Sequence, residues 1–314
     1  MKRRDFLKTT ALGTVASMFT LSGLRQAMAQ SSVPKAVNDE KARLVAVMGG
    51  EPVQMLDKAL EALGGIEKYV KKGQKVVIKP NIAWDKTPEL AANTNPELVA
   101  AMVKKCLAAG AKEVVVFDHT CDNWKASYAH SGIEEAARNA GAKVLPADLE
   151  SYYVEVELPK AVKLKKTKIH KALVDCDVWI NMPILKNHGG AKMSISMKNL
   201  MGIVWDREYF HSSDLQQCIA DVCTWDKKPA LNIIDAYRIM FQNGPRGRSA
   251  GDTAVIKSLI VSQDMVAADT AAVSLFNKVK EMSIKDVGHI GRGENLGVGT
   301  TDLKKVDVTQ LKVY

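Results

Sequence analysis

The chain has 314 residues, 46% of them apolar and 25% charged, the proportions of a soluble globular protein long enough to bury one large core or two smaller ones. These values exclude an intrinsically disordered chain and a small disulfide-held scaffold. A net charge of +9 favours anionic ligands, yet the basic residues are too scattered to argue for a nucleic-acid partner.

In chain order, residues 1–29 read as an export signal. Arg3 and Arg4, followed by Asp5, Phe6, Leu7 and Lys8, match the twin-arginine pattern, and the run ALGTVASMFTLSGL is too short to cross about 30 Å of hydrocarbon comfortably. Ala27 and Ala29 supply the small residues that a signal peptidase reads, so cleavage is expected after Ala29. The implied partner is the twin-arginine export machinery, the implied location periplasmic or otherwise exported, with no stable membrane anchor after cleavage. Cleavage removes Lys2, Arg3, Arg4, Lys8 and Arg25 against Asp5, lowering the net charge from +9 to +5. Residues 30–42 form a polar linker.

From residue 43 strands and helices alternate. RLVAVM (43–48), KVVIK (75–79), EVVVFD (113–118) and AKVLP (142–146) read as strands, separated by helical patterns at 52–65, 96–109 and 131–140. Such repeats with short Gly-containing stops predict an α/β fold, a mostly parallel sheet with helices on both faces. Residues 151–169 alternate polar and apolar, predicting an antiparallel excursion, and a division into two lobes near 150–175 is an open alternative to one domain over 43–314. The rhythm resumes with DVWINMP (177–183), a helix near 213–223, ALNIIDA (230–236), AVIKSLIVS (254–262), a helix over 264–280 and a short edge strand in KKVDVTQLKVY.

The five cysteines, Cys106, Cys121, Cys176, Cys218 and Cys223, are odd in number and contain no CxxC spacing, so no local iron–sulfur motif is present. The basic run from Lys163 to Lys171 lacks interleaved aromatic residues and reads as a solvated face.

Ligands of open α/β sheets sit beyond the carboxyl ends of the strands, and polar residues accumulate there. Lys79 and Asn81 follow one strand, Asp118 and His119 another, Asn181, Lys186 and His188 a third, and Asp235 a fourth. Asp and Asn at such positions are ordinary helix caps. Lysine is not, because a helix N-terminus already carries partial positive charge, so Lys79 and Lys186 call for an anionic ligand or a neighbouring carboxylate. Gly189 and Gly190 would let backbone N–H groups approach an anion, and Lys198 and Asn199 sit near a helix start that would favour one. His188 is a proton shuttle or a metal ligand, Asp118 and Asp235 are bases or metal ligands, and His211 is a further candidate for the same crevice.

IKPN (78–81), NMPILKNH (181–188), MKNLMG (197–202), His211, the IIDA to NGPRG segment (233–247) and DMVAADTAA (264–272) are similar, in order and spacing, to the bacterial and archaeal family called domain of unknown function 362. The resemblance covers residues 43–280. Some members of that family carry ferredoxin-like cysteine motifs, from which this chain departs. A more distant likeness in α/β organisation to nickel-dependent lactate racemases is fold-level analogy. The expectation is an enzyme acting on a small anionic substrate, with a divalent metal held by His188, Asp118 and Asp235 as one version and a metal-free anion site as the other. His188, Lys186 and Asp118 would then be catalytic, and Lys79, Asn81, Asn181, Lys198, Asn199, Gly189 and Gly190 would bind substrate. The alternative is a non-catalytic binding protein for an anion, metal or cofactor.

Overall fold

A computed structural model describes residues 41–314; the export signal and linker residues 30–40 lie outside the described residues. Among the described residues twelve strands form: β1 (Arg43–Met48), β2 (Lys75–Pro80), β3 (Glu113–Val116), β4 (Lys143–Val144), β5 (Tyr153–Glu157), β6 (Lys166–His170), β7 (Val178–Met182), β8 (Ile184–His188), β9 (Lys192–Ser194), β10 (Leu231–Met240), β11 (Thr253–Ser262) and β12 (Asp307–Lys312). Ten build one sheet in the order β12-β1-β11-β10-β7-β2-β3-β4, with β8 branching from β10 and β9 pairing β8. Pairing is parallel from β10 through β7, β2 and β3 to β4, and antiparallel on both sides of β11. The mixed but mainly parallel sheet agrees with the expected α/β class.

Alternation along each strand sends side chains to two separate cores. Val77, Val115, Phe117, Trp179 and Ile234 join one cluster, packed against helices Leu215–Val222 and Met265–Phe276. Val76, Ile78, Val114, Ile180 and Ile233 join the other, under helices Pro52–Leu63 and Pro96–Ala108. Central β2 is buried from its second residue onward because helices cover both its faces. The Pro96 helix starts where the sequence says it should, with Asn95 Oδ1 accepting from Glu97 N at 2.8 Å and Pro96 at its first turn.

Residues on either side of 150–175 share this sheet, since β7 returns to lie between β2 and β10. The intervening segment is the expected antiparallel excursion, the separate two-stranded β5–β6 hairpin. The helix expected over 131–140 is Ile133–Asn139, preceded by a further helix, Trp124–His130, from which Gly132 separates it by adopting φ 70°, a left-handed conformation that ends a helix. Residues 184–194, to which the sequence pattern assigns no element, are the β8–β9 hairpin, held by pairing of Ile184 with Asp235 and Lys186 with Met240 of β10. That pairing is non-local, which is why sequence periodicity did not reveal it.

The strand order reverses beside β2: the chain runs outward through β3 and β4, then returns to place β7 and β10 on the other side. This is the topological switch at which α/β sheets open a crevice.

Candidate functional site

At the carboxyl ends of β2, β3 and β7 the strand-end residues meet. Lys79 pairs with Asn181 in the β2–β7 register and points to the same face as Val77 and Trp179. Its Nζ lies 2.8 Å from Asp118 Oδ1, both side chains being 1% exposed, and donates to Asn199 Oδ1 at 2.7 Å. Burial pushes the Lys79 ammonium below its ordinary pKa, and the attraction of Asp118 offsets part of that. The other Asp118 oxygen accepts from Ile82 N at 2.6 Å, while the Tyr128 hydroxyl bridges the Asp118 backbone.

Asparagines extend this network sideways. Asn199 Nδ2 donates to Asn181 Oδ1 at 2.8 Å, and Asn181 Nδ2 donates to Asn232 Oδ1 at 2.9 Å and to Ser196 O at 3.0 Å. The short helix Ser196–Asn199 is fixed from the other side by Asp269, whose carboxylate accepts from Ser196 N at 2.7 Å and Met197 N at 2.9 Å. Burial raises Asp269 to about 7 despite those two donors. The glycine of MKNLMG has a steric reason: a Cβ on Gly202 would come within 1.9 Å of Asp118 Oδ1 and 2.6 Å of Lys79 Nζ. Only a residue without a side chain lets the backbone lie over the ion pair.

Above this base is a cavity of about 450 Å³, lined among others by Lys79, Asn81, Asp118, His188, Lys198 and Arg207. Lys198 is half-buried, and its Nζ makes no hydrogen bond or ion pair among the described residues. Burial lowers it to about 8, with Arg207 and Lys79 adding repulsion and Asp118 pulling the other way. Its charge in turn depresses His188, His211 and His289, whose burial is the larger cause. His188 falls to about 2 and is neutral at physiological pH. Its Nδ1 accepts from Ala191 N at 3.1 Å, so the neutral ring carries its proton on Nε2 and offers a donor there.

Arg207, not foreseen from the sequence, donates to His119 O at 2.8 Å and Thr120 O at 2.6 Å, and its Nη1 lies 3.4 Å from the exposed thiol of Cys121. His119 joins the wall through Nδ1 on Val204 O at 2.9 Å and lies parallel to Trp205 at 5.2 Å between ring centroids. A larger outer cleft of about 790 Å³ shares His119, Arg207 and Glu208 with the cavity and continues along β6. In it Lys168 pairs with Glu150 and Lys166 with Glu155, so the basic run is a solvated face partly neutralised by nearby carboxylates. A charged residue soon after the apolar LMGIV, within WDREYF, was the available signal for Arg207.

Several expected site residues lie elsewhere. Lys186 is 1% exposed and sits behind the cavity, donating to Asn81 Oδ1 at 3.1 Å and to Ala92 O, so it braces Asn81 and does not line the cavity. Burial lowers it to about 7. Asn181 is wholly buried within the network. Gly189 and Gly190 are the exposed turn of the β8–β9 hairpin and do not line the cavity.

The metal set His188, Asp118 and Asp235 does not assemble. Asp235 shares the parity of Ile233 and faces the opposite core, where it accepts from Asn95 N at 2.8 Å and Tyr237 N at 3.1 Å and borders a separate cavity of about 170 Å³. Burial raises it to about 6. Asp118 is committed to Lys79 and Ile82, and His188 presents N–H rather than a lone pair. Among the described residues no group of three or more His, Cys, Asp or Glu side chains could hold a metal ion.

Known proteins resemble the chain over much of its length. A thylakoid-associated protein of Synechocystis sp. is 28% identical over 231 residues, 70% of this chain and 68% of that protein. Among solved structures, the lactate racemase apoprotein from Thermoanaerobacterium thermosaccharolyticum superposes with a TM-score of 0.43 at 13% identity, over 68% of this chain. A Thermotoga maritima protein superposes with a TM-score of 0.45 at 14% identity, over 73%. The chain spans 53% and 60% of those two structures. The family description matched is "domain of unknown function", DUF362, over residues 76–274, a segment running from β2 through β10 into helix Met265–Phe276 and containing every cavity residue named above. The chain belongs to the DUF362 family.

Proposed function

We propose that this protein is an exported enzyme acting on a small organic anion bound at the β2/β7 switch point, with Lys198 and Arg207 neutralising the substrate and His188 donating a hydrogen bond from Nε2. The observation that carries the reading is Lys198, whose Nζ has no hydrogen-bond or ion-pair partner among the described residues and lines a cavity of about 450 Å³. The carboxylate nearest in the base of that cavity, Asp118, is already engaged by Lys79 and Ile82 N, so an incoming anion is the natural counter-charge. A binding protein would need complementary charge alone. Lys198, lowered to about 8 by burial, supplies a group able to exchange a proton near neutral pH and favours chemistry, while the neighbouring histidines, held neutral, serve as hydrogen-bonding groups.

The test is thermal unfolding of the purified protein with and without millimolar pyruvate, malonate, phosphate or sulfate. At least one is expected to raise the melting temperature by mass action, and Lys198→Met is expected to remove the rise. Anions that leave wild type unmoved, or that stabilise Lys198→Met equally, would overturn the reading.

A further inference from the structure

We propose that Lys198 is a nucleophile that forms a Schiff base with a carbonyl substrate, and that the substrate is a 2-oxo acid. The inference rests on the anion site described above and deepens it.

Three arrangements lead there. The first is how the amine is held. Ser196 and Met197 are tied by their N–H groups to Asp269, and Asn199 is tied to Lys79, Asn81 and Asn181, so the residues flanking Lys198 are pinned while its Nζ makes no bond. Lys79 and Lys186, by contrast, spend their ammonium groups on Asp118, Asn199, Asn81 and Ala92. A lysine kept only for structure or charge would be expected to find such partners, whereas a nucleophile must leave its lone pair free. The second is proton affinity. An amine attacks only as the free base, and burial with Arg207 and Lys79 nearby lowers Lys198 to about 8, so an appreciable fraction is unprotonated near neutral pH. The third is the company around it. Arg207 lines the same wall and suits a carboxylate, and His188 offers Nε2–H to a carbonyl or carboxylate oxygen. A carboxylate adjoining a carbonyl carbon places both recognised groups within one small molecule.

In the step, the Nζ lone pair attacks the carbonyl carbon, and the carbonyl electrons move to oxygen, which takes a proton to give a carbinolamine. Loss of one water, its oxygen the former carbonyl oxygen, leaves a protonated imine, so one free amine, one ketone and one proton yield one iminium and one water. No oxidant or reductant is required.

The test is trapping. The purified protein, incubated with pyruvate or with 2-oxoglutarate and then sodium borohydride, which supplies hydride to the imine, is examined by intact and peptide mass spectrometry. One reduced adduct per chain is expected, located on Lys198 and absent from Lys198→Arg. Because arginine keeps the positive charge, stabilisation by anions should survive in Lys198→Arg. Anion stabilisation without any adduct from either oxo acid would overturn the Schiff base while leaving the anion site intact. Adducts spread over surface lysines and undiminished in Lys198→Arg would overturn it as well, and loss of both responses in wild type would remove the anion site itself.

Discussion

Replacing Asp118 by asparagine tests the base of the site most directly. The Lys79–Asp118 pair has a 2.8 Å separation and side chains 1% exposed, so the charge left behind is shielded from solvent by the protein around it. The introduced amide can still accept from Ile82 N, but Lys79 keeps only the Asn199 oxygen at 2.7 Å. Breaking a buried pair from one side costs about 3–5 kcal/mol, because the remaining ion stays desolvated. With a urea dependence of about 3 kcal/mol per M, the unfolding midpoint should fall by roughly 1–1.7 M. Lys79→Met should cost a similar amount by stranding the carboxylate. The double variant removes both charges and should lose about 2–3 kcal/mol less than the two single losses added together. Equilibrium urea unfolding of all four proteins at pH 7 closes the cycle. Strictly additive losses, or single losses below about 1 kcal/mol, would refute the claim that the two charges are buried against each other.

Gly202→Ala should destabilise the protein by about 3 kcal/mol or more, since its Cβ would overlap Asp118 Oδ1, and calorimetry showing less than about 1 kcal/mol would mean that the backbone does not cover the pair. Lys186 has a folded pKa of about 7 against an ordinary value of 10.5. Its charging penalty is therefore full below pH 7 and is relieved as pH rises towards 10.5, where the unfolded chain still holds the proton. Stability should rise between pH 7 and 9 by up to about 1 kcal/mol per unit from this group, and Lys186→Met should flatten the rise; identical slopes would contradict the assignment. For export, Arg3→Lys with Arg4→Lys should leave precursor in the cytoplasm, whereas wild type should begin at Gln30 by N-terminal sequencing; mature periplasmic protein from the double variant would end that proposal.

Local pattern was enough for the fold class. Runs such as KVVIK and EVVVFD, spaced by helices with visible caps such as Asn95-Pro96, obey rules that act within a few residues, and their carboxyl ends marked where a site would lie. The KNLMG segment was also visible, through the family resemblance and as an expected helix start. Which strand-end residues meet is not a local property. Lys79 and Asp235 both end strands in the sequence, yet the side-chain parity of Ile233 carries Asp235 to the opposite face, where backbone N–H groups of Asn95 and Tyr237 consume its oxygens. Lys186 and Lys198 look alike in sequence. The pairing of β8 with β10 sets one behind Asn81 with its donors satisfied, whereas the helix pinned by Asp269 presents the other, unbonded, to the cavity. Arg207 joins from a segment that is anchored by carbonyls of the turn after β3, 87 and 88 residues away along the chain. Proton affinities follow from the same assembly, because burial and the sum of neighbouring charges exist only once distant segments have packed.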